Sequence, residues 1–482
     1  MITSKIKSQL ISGVLYTAIA KYSGLIISLI VTAILARLLT PDDFGIVAIA
    51  TVFINFFELF TTIGFSSAII QNKDLTEKDL SNIYSFTIWM GFVLSLLFFL
   101  SSWGIASYYG NDTLRSICQI LSVNLFLSSV SMVPNTLFYK EKQFKILAIR
   151  TLCIQVLVGT TAIVAAMKGA GLYTLTIQPL LSSLLLYLTS LKFHPIRPSF
   201  TIGMESIKKI WSYSKYQFLF NIINYFTNNL DKLMIGRYLG MTPLGYYEKS
   251  YRIMMLPIQN ITYVITPVLH PIFSDYQKEP HQLRIAHDSI VHLLALIGFP
   301  LSVLAYFCAN EAILILFGDQ WIASVPAFQV LSLTIGIQMI LSSSGSFYQS
   351  GGDTHSMFYC AIFASVVCAT GLCIGIFYYK TLIATTWCIF LSFVLSFIQC
   401  YTLLYKRVFL NTPVSFIKQL ITPTIFSFIL FGCLWIINAL TNGMPSFVSL
   451  ICKCLTFLLV YFACLKVSGD YKLLASIIKR TR

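Results

Sequence analysis

The sequence contains little charge. Asp, Glu, Lys and Arg make up 11% of its 482 residues, whereas hydrophobic residues make up 57%. Soluble domains carry about 25% charged residues, so this composition excludes an ordinary soluble globular protein. The sequence also lacks a Walker A, HExxH or GxSxG motif in a fitting context, and no loop has room for a soluble catalytic domain. These absences argue against an enzyme and against an ATPase within this chain.

Cysteine occurs twelve times but never as a CxxC pair. Cys452 and Cys454 flank Lys453, and no His or second cysteine pair accompanies them, so they do not form a metal-binding pattern. Most of the cysteines lie inside apolar stretches, where we expect thiols that pack against other helices or face lipid. The sequence therefore predicts neither a metal nor a cofactor.

Long apolar stretches fill the chain instead. Fourteen of them can be counted, from 13–39 to 445–467, and each has roughly 20 residues or more. A helix of about 20 apolar residues crosses the hydrocarbon core of a bilayer. The sequence therefore predicts an all-α polytopic membrane protein with about 14 transmembrane helices, although a count of 13 or 12 also fits the pattern.

The net charge of +15 follows the predicted topology. Lys and Arg concentrate in every second loop, counted from the N-terminus, and in the C-terminal tail, whereas the opposite loops carry few. Basic loops stay on the cytoplasmic side of a membrane. We therefore expect both termini in the cytoplasm and an even number of spans. The basic excess answers to topology and to anionic lipid headgroups, so no nucleic-acid partner is expected.

An internal repeat is the most informative feature of the chain. Residues 17–45 (TAIAKYSGLIISLIVTAILARLLTPDDFG) and 217–245 (QFLFNIINYFTNNLDKLMIGRYLGMTPLG) carry the same pattern 200 positions apart. In each, small or polar residues recur at steps of 4, 3, 4 and 4, which keep one face of a helix. The two polar stripes are Thr17, Lys21, Gly24, Ser28 and Thr32, and Gln217, Asn221, Asn224, Asn228 and Lys232. Duplicated membrane proteins with such stripes are usually transporters.

The repeat divides the chain into two lobes of six predicted helices each. Residues 1–195 form the N-terminal lobe, 196–213 a cytoplasmic linker, 214–405 the C-terminal lobe, and 406–482 two extra helices with a basic tail. Each lobe begins and ends on the cytoplasmic side. We therefore expect the lobes to be parallel repeats, related by a pseudo-two-fold axis along the membrane normal.

Ionisable residues inside predicted helices are the first candidates for function, because they are costly in a bilayer. In the first lobe, Lys21 and Glu58 lie at similar depths. One interpretation is a structural ion pair between neighbouring helices. The other is that Glu58 is a protonatable coupling site, because low-dielectric surroundings favour a neutral carboxyl.

In the second lobe, Asp231, Lys232 and Arg252 share a level near the outer membrane surface. Asp231 is a second coupling candidate and is placed to pair with Arg252, which leaves Lys232 for the polar stripe. The alternative interpretation is that Lys232 and Arg252 extend to the outer headgroups.

The amides of the second stripe need partners. Asn221, Asn224 and Asn228 cannot face lipid without losing hydrogen bonds, so they are expected to face another helix or a watery cavity. Amides in a cavity suit the hydroxyl groups of sugars. These three asparagines are therefore candidate substrate-binding residues.

Three stretches carry a family resemblance: ILARLLTPDDFGIVAIA, NNLDKLMIGRYLGMTPLGYYEKSYRIMMLPIQNI and LFGDQWIASVPAFQVLSL. They resemble the lipopolysaccharide and exopolysaccharide (Wzx-type) flippases of the multidrug/oligosaccharidyl-lipid/polysaccharide exporter superfamily, most specifically in the pattern NLDxxxIGRxLGxxxLGxY. The resemblance covers the first ten predicted helices well and the last four mainly by hydropathy. It implies a twelve-helix, two-lobed core with two extra C-terminal helices.

The resemblance also implies a function, namely transport of an undecaprenyl-diphosphate-linked oligosaccharide from the inner to the outer leaflet of a bacterial inner membrane by alternating access. Related lipid II flippases use a cationic cavity lined by spans 1, 2, 7 and 8. Lys21, Arg252 and Lys232 lie on those spans and match the negative charge of a diphosphate. The implied partners are the lipid-linked oligosaccharide, membrane lipids, a coupling ion (H⁺ or Na⁺) and proteins of polysaccharide assembly.

Two other functions stay open. A drug or cation antiporter of the same superfamily favours an acidic cavity, whereas the candidate residues here are mostly basic. A membrane polymerase or ligase for polysaccharide needs a long outer loop with catalytic Arg or His, and the predicted outer loops are short.

The predicted topology is testable by cysteine accessibility or by reporter fusions. Probes within 192–213 and at the C-terminus should report the cytoplasm, because these segments are rich in Lys and Arg. Probes within 240–245 should report the outer side. A periplasmic 192–213 would overturn both the lobe division and the direction of transport.

Overall fold

The computed structural model describes residues 4–61, 66, 69–70, 72, 75–199, 222, 225–277 and 279–472. Within these residues the regular structure is helical throughout and contains no strand. The all-α prediction is therefore confirmed. Short 3₁₀ turns lie at Ser274–Tyr276 and Asp319–Ser324, and one π-helical turn lies at Ile374–Tyr379.

The helices are numbered here in chain order. They are α1 (Ser4–Leu38), α2 (Pro41–Thr61), α3 (Glu77–Tyr109), α4 (Asp112–Lys140), α5 (Phe144–Met167), α6 (Tyr173–Phe193), α7 (described over 225–238), α8 (Met241–Phe273), α9 (Pro280–Phe307), α10 (Ala309–Phe317), α11 (Val325–Ser332), α12 (Ile335–Ser350), α13 (Thr354–Cys373), α14 (Leu382–Arg407), α15 (Val414–Leu440) and α16 (Ser446–Ser468).

Several helix ends follow from local sequence. Thr40 and Asp43 exchange hydrogen bonds at the start of α2, and Thr76 and Asp79 form the same capping box at the start of α3. α3 ends at Gly110, whose φ of 63° is a left-handed conformation that glycine adopts without steric cost. These signals fix the boundaries between consecutive helices.

Eleven helices of the described residues are long and apolar enough to cross a membrane. The segments Asp319–Ser332 and Ile335–Ser350, bent by 49° at their junction, make a twelfth if they form one broken span. Every predicted apolar stretch is helical over most of its described residues. The two stretches outside the twelve correspond to α7, which is described only in part, and to α8, which has 33 residues. The count of fourteen spans therefore stays a prediction.

The chain divides into two compact units, Met1–Gly245 and Tyr246–Arg482. In the first unit, α3 packs along α4, α1 along α5, and α6 against both α4 and α5. Gly159 of α5 lets α1 approach closely, because a Cβ there would lie 2.6 Å from Val31 Cγ2. Buried apolar side chains fill the space between these helices, among them Leu35, Ala162 and Leu175.

In the second unit, α9 packs against α12 and α15, α13 against α14, and α15 against α16. Gly298 of α9 and Gly336 of α12 meet closely, and a Cβ at Gly298 would lie 2.8 Å from the Gly336 Cα. Leu430 and Leu434 of α15 are fully buried in this unit. The predicted linker, 196–213, lies mostly outside the described residues, so the division into lobes stays a prediction.

The two copies of the repeat meet through a reciprocal glycine contact. A Cβ on Gly45 would overlap the Met241 carbonyl oxygen, and a Cβ on Gly245 would overlap the Pro41 carbonyl oxygen. Each of these contacts is the other shifted by 200 positions. A hydrogen bond from Thr242 Oγ1 to Asp42 Oδ1, 3.0 Å long, joins a further pair of equivalent positions. The first turns of α2 and α8 are therefore in direct backbone contact, which only glycine permits.

We expect Gly45→Ala and Gly245→Ala each to lower stability by about 1–3 kcal/mol, because the new methyl group must push a backbone carbonyl aside. Gly104→Ala is the matched control, since a Cβ there meets nothing within 4 Å. Thermal unfolding of the purified protein in detergent measures the difference. Equal melting temperatures for all three variants would contradict the prediction.

Candidate functional site

Aromatic side chains join α2 to α7 around Glu58. The Phe56 ring lies 6.2 Å from Tyr225 and 5.1 Å from Phe226, and the Tyr225 hydroxyl donates a hydrogen bond to the Val52 carbonyl. Glu58 is half-buried beside this contact and close enough to Tyr225 to interact with it electrostatically. The structure therefore brings together two of the helices that the resemblance assigns to the transport path, with the candidate carboxylate at their contact.

Lys21 is not part of this contact. It is exposed on α1, and among the described residues no ion pair joins it to Glu58. Gly24 of the same stripe packs against α5, where a Cβ would lie 2.6 Å from Gln155 Oε1. The structure therefore lacks the Lys21–Glu58 ion pair that the sequence left open, and part of the first stripe contacts a helix of its own unit.

The second stripe is described from residue 225 onward, together with residue 222, so Asn221 and Asn224 lie outside the described residues. Asn228 is exposed, and Lys232 is half-buried. Asp231 is half-buried, and its Oδ1 accepts a hydrogen bond of 2.8 Å from the Lys232 backbone N–H. The expected pair of Asp231 with Arg252 would join the two compact units, and it stays a prediction.

A second cation on α8, Lys249, escaped the sequence analysis. Lys249 is only 2% exposed, and its ammonium lies 5.5 Å from the ring centroid of Phe317 and 5.8 Å from that of Trp321. Arg252, one turn further along α8, is exposed and interacts electrostatically with Lys249. The cation predicted for the substrate path is thus exposed, whereas its neighbour is held by aromatic rings.

Two of the stretches that carry the family resemblance contact each other here. The Ser250 hydroxyl donates to the Ser324 carbonyl at 3.0 Å, and the rings of Tyr246 and Trp321 meet edge to face at 6.0 Å. Trp321 is fully buried. The stretch YYEKSYR on α8 is therefore anchored by the stretch LFGDQWIAS, and this anchoring fixes the position of Arg252.

A buried ion pair lies at the contact of α10 with α16. Lys453 Nζ contacts Glu311 Oε1 and donates 2.9 Å to the Phe307 carbonyl, while Ser449 Oγ donates 2.6 Å to the same Glu311 oxygen. Lys453 and Glu311 are 2% and 5% exposed. In the sequence, Lys453 is marked only as a charged residue inside an apolar stretch, between Cys452 and Cys454.

Arg150 is a third buried cation that the sequence analysis missed. It is 8% exposed on α5 and donates to Ser190 Oγ and to Asn135 Oδ1, while its guanidinium lies 4.6 Å from the ring centroid of Phe138. No carboxylate within the described part of the chain lies against it. Among the same residues, no cluster of His, Cys, Asp and Glu could hold a metal ion.

The fold of the chain resembles that of a solved membrane transporter. The solved structure of the lipid II flippase MurJ in an inward closed conformation matches it with a TM-score of 0.75, over 96% of this chain and 100% of that one, at 17% sequence identity. At this identity the likeness concerns the fold alone.

Sequence comparison gives the family. The family described as "Polysaccharide biosynthesis protein" matches residues 34–326, and the chain belongs to it. The teichuronic acid biosynthesis protein TuaB of Bacillus subtilis (strain 168) is 28% identical over 73% of this chain and 74% of its own. The lipopolysaccharide biosynthesis protein WzxC of Escherichia coli (strain K12) is 23% identical over 77% and 76%. The resemblance to Wzx-type proteins is thereby confirmed.

The ion pair of α10 and α16 gives a test of how the last helix is held. Lys453→Met leaves the Glu311 carboxylate buried without its cation, and we expect a loss of about 3–5 kcal/mol. The double variant Glu311→Leu/Lys453→Met removes both charges and should recover most of this loss. Lys466→Met, at an exposed position of α16, is the control. Thermal unfolding in detergent compares the wild type with these three variants. A double variant less stable than Lys453→Met alone would contradict the view that the unpaired Glu311 carboxylate causes the loss.

Proposed function

We propose that this protein moves an oligosaccharide, linked through a diphosphate to a polyprenyl lipid, from the inner to the outer leaflet of the bacterial inner membrane. Family membership over residues 34–326 carries the proposal. A fold shared with a protein named as a lipid II flippase supports it. The rocking of two repeated lobes would expose the headgroup site to each side of the membrane in turn.

The diphosphate requires cations in the path. Lys21 and Arg252 are exposed side chains on α1 and α8, so both are accessible to a ligand. Lys232, half-buried on α7, is the third candidate. Charge-assisted hydrogen bonds from such groups to phosphate oxygens are strong, and they would hold the headgroup while the prenyl chain stays in lipid.

The sugars require hydrogen-bond donors and acceptors that tolerate different hydroxyl patterns. Asn221, Asn224 and Asn228 of the second stripe are proposed for this role. Asn228 is exposed on α7, whereas the neighbouring Asn229 is engaged by its own helix, with Nδ2 donating 2.9 Å to the Tyr225 carbonyl. This difference supports Asn228 as the amide that faces outward.

Transport needs a driving force, and Glu58 is the leading candidate for sensing H⁺ or Na⁺. Its place at the α2–α7 contact, beside Tyr225, is where a change of charge would alter the packing of two helices. Asp231 on α7 is the second candidate. Both termini are proposed to be cytoplasmic, and proteins of polysaccharide assembly are the proposed partners.

Removal of the gene from its host tests the function. We expect loss of surface polysaccharide and accumulation of the lipid-linked repeat unit, because synthesis continues while export stops. A plasmid copy of the wild-type gene should restore export, whereas Lys21→Ala/Arg252→Ala should restore it by less than about a tenth, since two charged contacts to the diphosphate are lost. Surface polysaccharide and extracted lipid-linked saccharide are the measurements.

Lys406→Ala is the control for charge, because Lys406 is an exposed cation at the far end of α14. Glu58→Gln in the same assay separates coupling from folding: without an ion pair to Lys21 to lose, the variant should reach normal levels in the membrane yet export poorly. Unchanged polysaccharide and unchanged lipid-linked pools after gene removal would reject the proposed function.

A further inference from the structure

A cavity of about 370 Å³ lies beside the first half of α1, lined by Tyr16 and by residues 141–146. These residues form the turn between α4 and α5 and the first turn of α5. The predicted topology places this turn on the cytoplasmic side. A cavity of this volume has room for a single phosphate-bearing headgroup.

The start of α5 supplies hydrogen-bond donors to this cavity. The helix begins at Phe144, and the side chain of the preceding Gln143 makes no capping hydrogen bond. The first N–H groups of a helix have no partner within the helix and carry a partial positive charge. Since residues 144–146 line the cavity, these N–H groups are placed to bind an anion.

Two lysines add full positive charge. Lys142 and Lys145 both line the cavity and are exposed, and no carboxylate of the described residues pairs with either. Glu141 is the acidic residue in the lining. Its Oε2 accepts 2.7 Å from Gln143 Nε2, and its Oε1 lies 3.6 Å from His194 Nδ1, so neighbouring groups already engage it.

The turn is held by side-chain contacts with the end of α6 and with α4. His194 lies at the end of α6, and its Nε2 is 3.3 Å from Gln143 Oε1. The ring of His194 meets the Phe138 ring edge to face, with 4.5 Å between the ring centroids. The Arg150 guanidinium also lies over the Phe138 ring. A buried cation without a carboxylate is costly, and the hydrogen bonds of Arg150 to Ser190 and Asn135 offset part of this cost.

The surroundings point to a lipid rather than to a free ion. Leu15, Ile19 and Tyr22 of α1 are 56%, 47% and 48% exposed, so an apolar surface runs along the helix beside Tyr16. Phe144 and Ile146 add apolar area within the cavity itself. A ligand that joins a phosphate to hydrocarbon chains satisfies both surfaces at once.

We propose that this cavity binds the phosphate group of an anionic membrane lipid at the cytoplasmic surface. The phosphate oxygens accept hydrogen bonds from Lys142, Lys145 and the first N–H groups of α5, and the acyl or prenyl chains lie along α1. The ligand is either a bilayer phospholipid or a polyprenyl diphosphate. The site does not depend on the proposed function, because its geometry requires only a lipid-borne phosphate.

Lipid binding to the full-length protein tests the site, with native mass spectrometry as the measurement. The probes are phosphatidylglycerol, phosphatidylcholine and a sugar-free polyprenyl diphosphate. We expect Lys142→Gln/Lys145→Gln to bind the anionic probe at least about tenfold more weakly, because two charged contacts are lost. Lys168→Gln, an exposed position at the opposite end of α5, should bind as the wild type does.

The lipid whose binding is lost in the double variant identifies the ligand. Loss confined to phosphatidylglycerol supports a bilayer lipid as the ligand, and loss confined to the polyprenyl diphosphate supports the transported lipid. Equal binding of anionic and zwitterionic lipid by the wild type, or undiminished binding by the double variant, would overturn the proposal. Because both lysines are exposed, thermal unfolding should stay unchanged, and this separates a lost site from a lost fold.

Discussion

The contact between residues 41–45 and 241–245 is the constraint on which the first compact unit depends. Two helix starts can touch through their backbones only if neither carries a Cβ at the crossing point, and the chain meets this condition with Gly45 and Gly245. Gly45 and Gly245 are equivalent positions of the repeat, so the same local sequence pattern serves both sides of the contact. From this contact, α7 is led back against α2, where Phe56 and Tyr225 meet.

Charge burial follows a consistent rule elsewhere in the chain. Lys453 is neutralised by Glu311, Lys249 lies under two aromatic rings, and Arg150 is held by hydroxyl and amide groups and a ring. Each arrangement offsets the desolvation of a cation by a different partner. The proposed substrate cation Lys21 differs from all three, because it is exposed and forms no ion pair with any described residue. A cation kept accessible is the one available to a ligand.

The sequence predicted the helices well because hydropathy and caps are local signals: Thr40 and Asp43 mark the start of α2 without reference to the rest of the chain. The sequence predicted the candidate site less well, because the residues that contact each other there are far apart in the chain. Glu311 and Lys453 lie 142 positions apart, and nothing in either segment names the other. The possible Lys21–Glu58 pair is absent for the converse reason, since a depth on each of two helices that permits contact does not fix the direction of a side chain.

The geometry of α1 separates the phosphate pocket from the proposed transport path. Tyr16 and Lys21 are five residues apart, which places them about 140° apart around the helix axis and about 7.5 Å apart along it. Tyr16 faces the turn before α5, and Gly13, nearly one turn earlier, lies against Phe144 with a would-be Cβ 3.0 Å from its ring. The phosphate proposed for the cavity beside Tyr16 is therefore a different one from the diphosphate proposed to bind Lys21. A lipid in the pocket would instead hold the N-terminal half of α1 against α5, whereas the C-terminal end of α1 leads into the repeat contact that begins at Pro41.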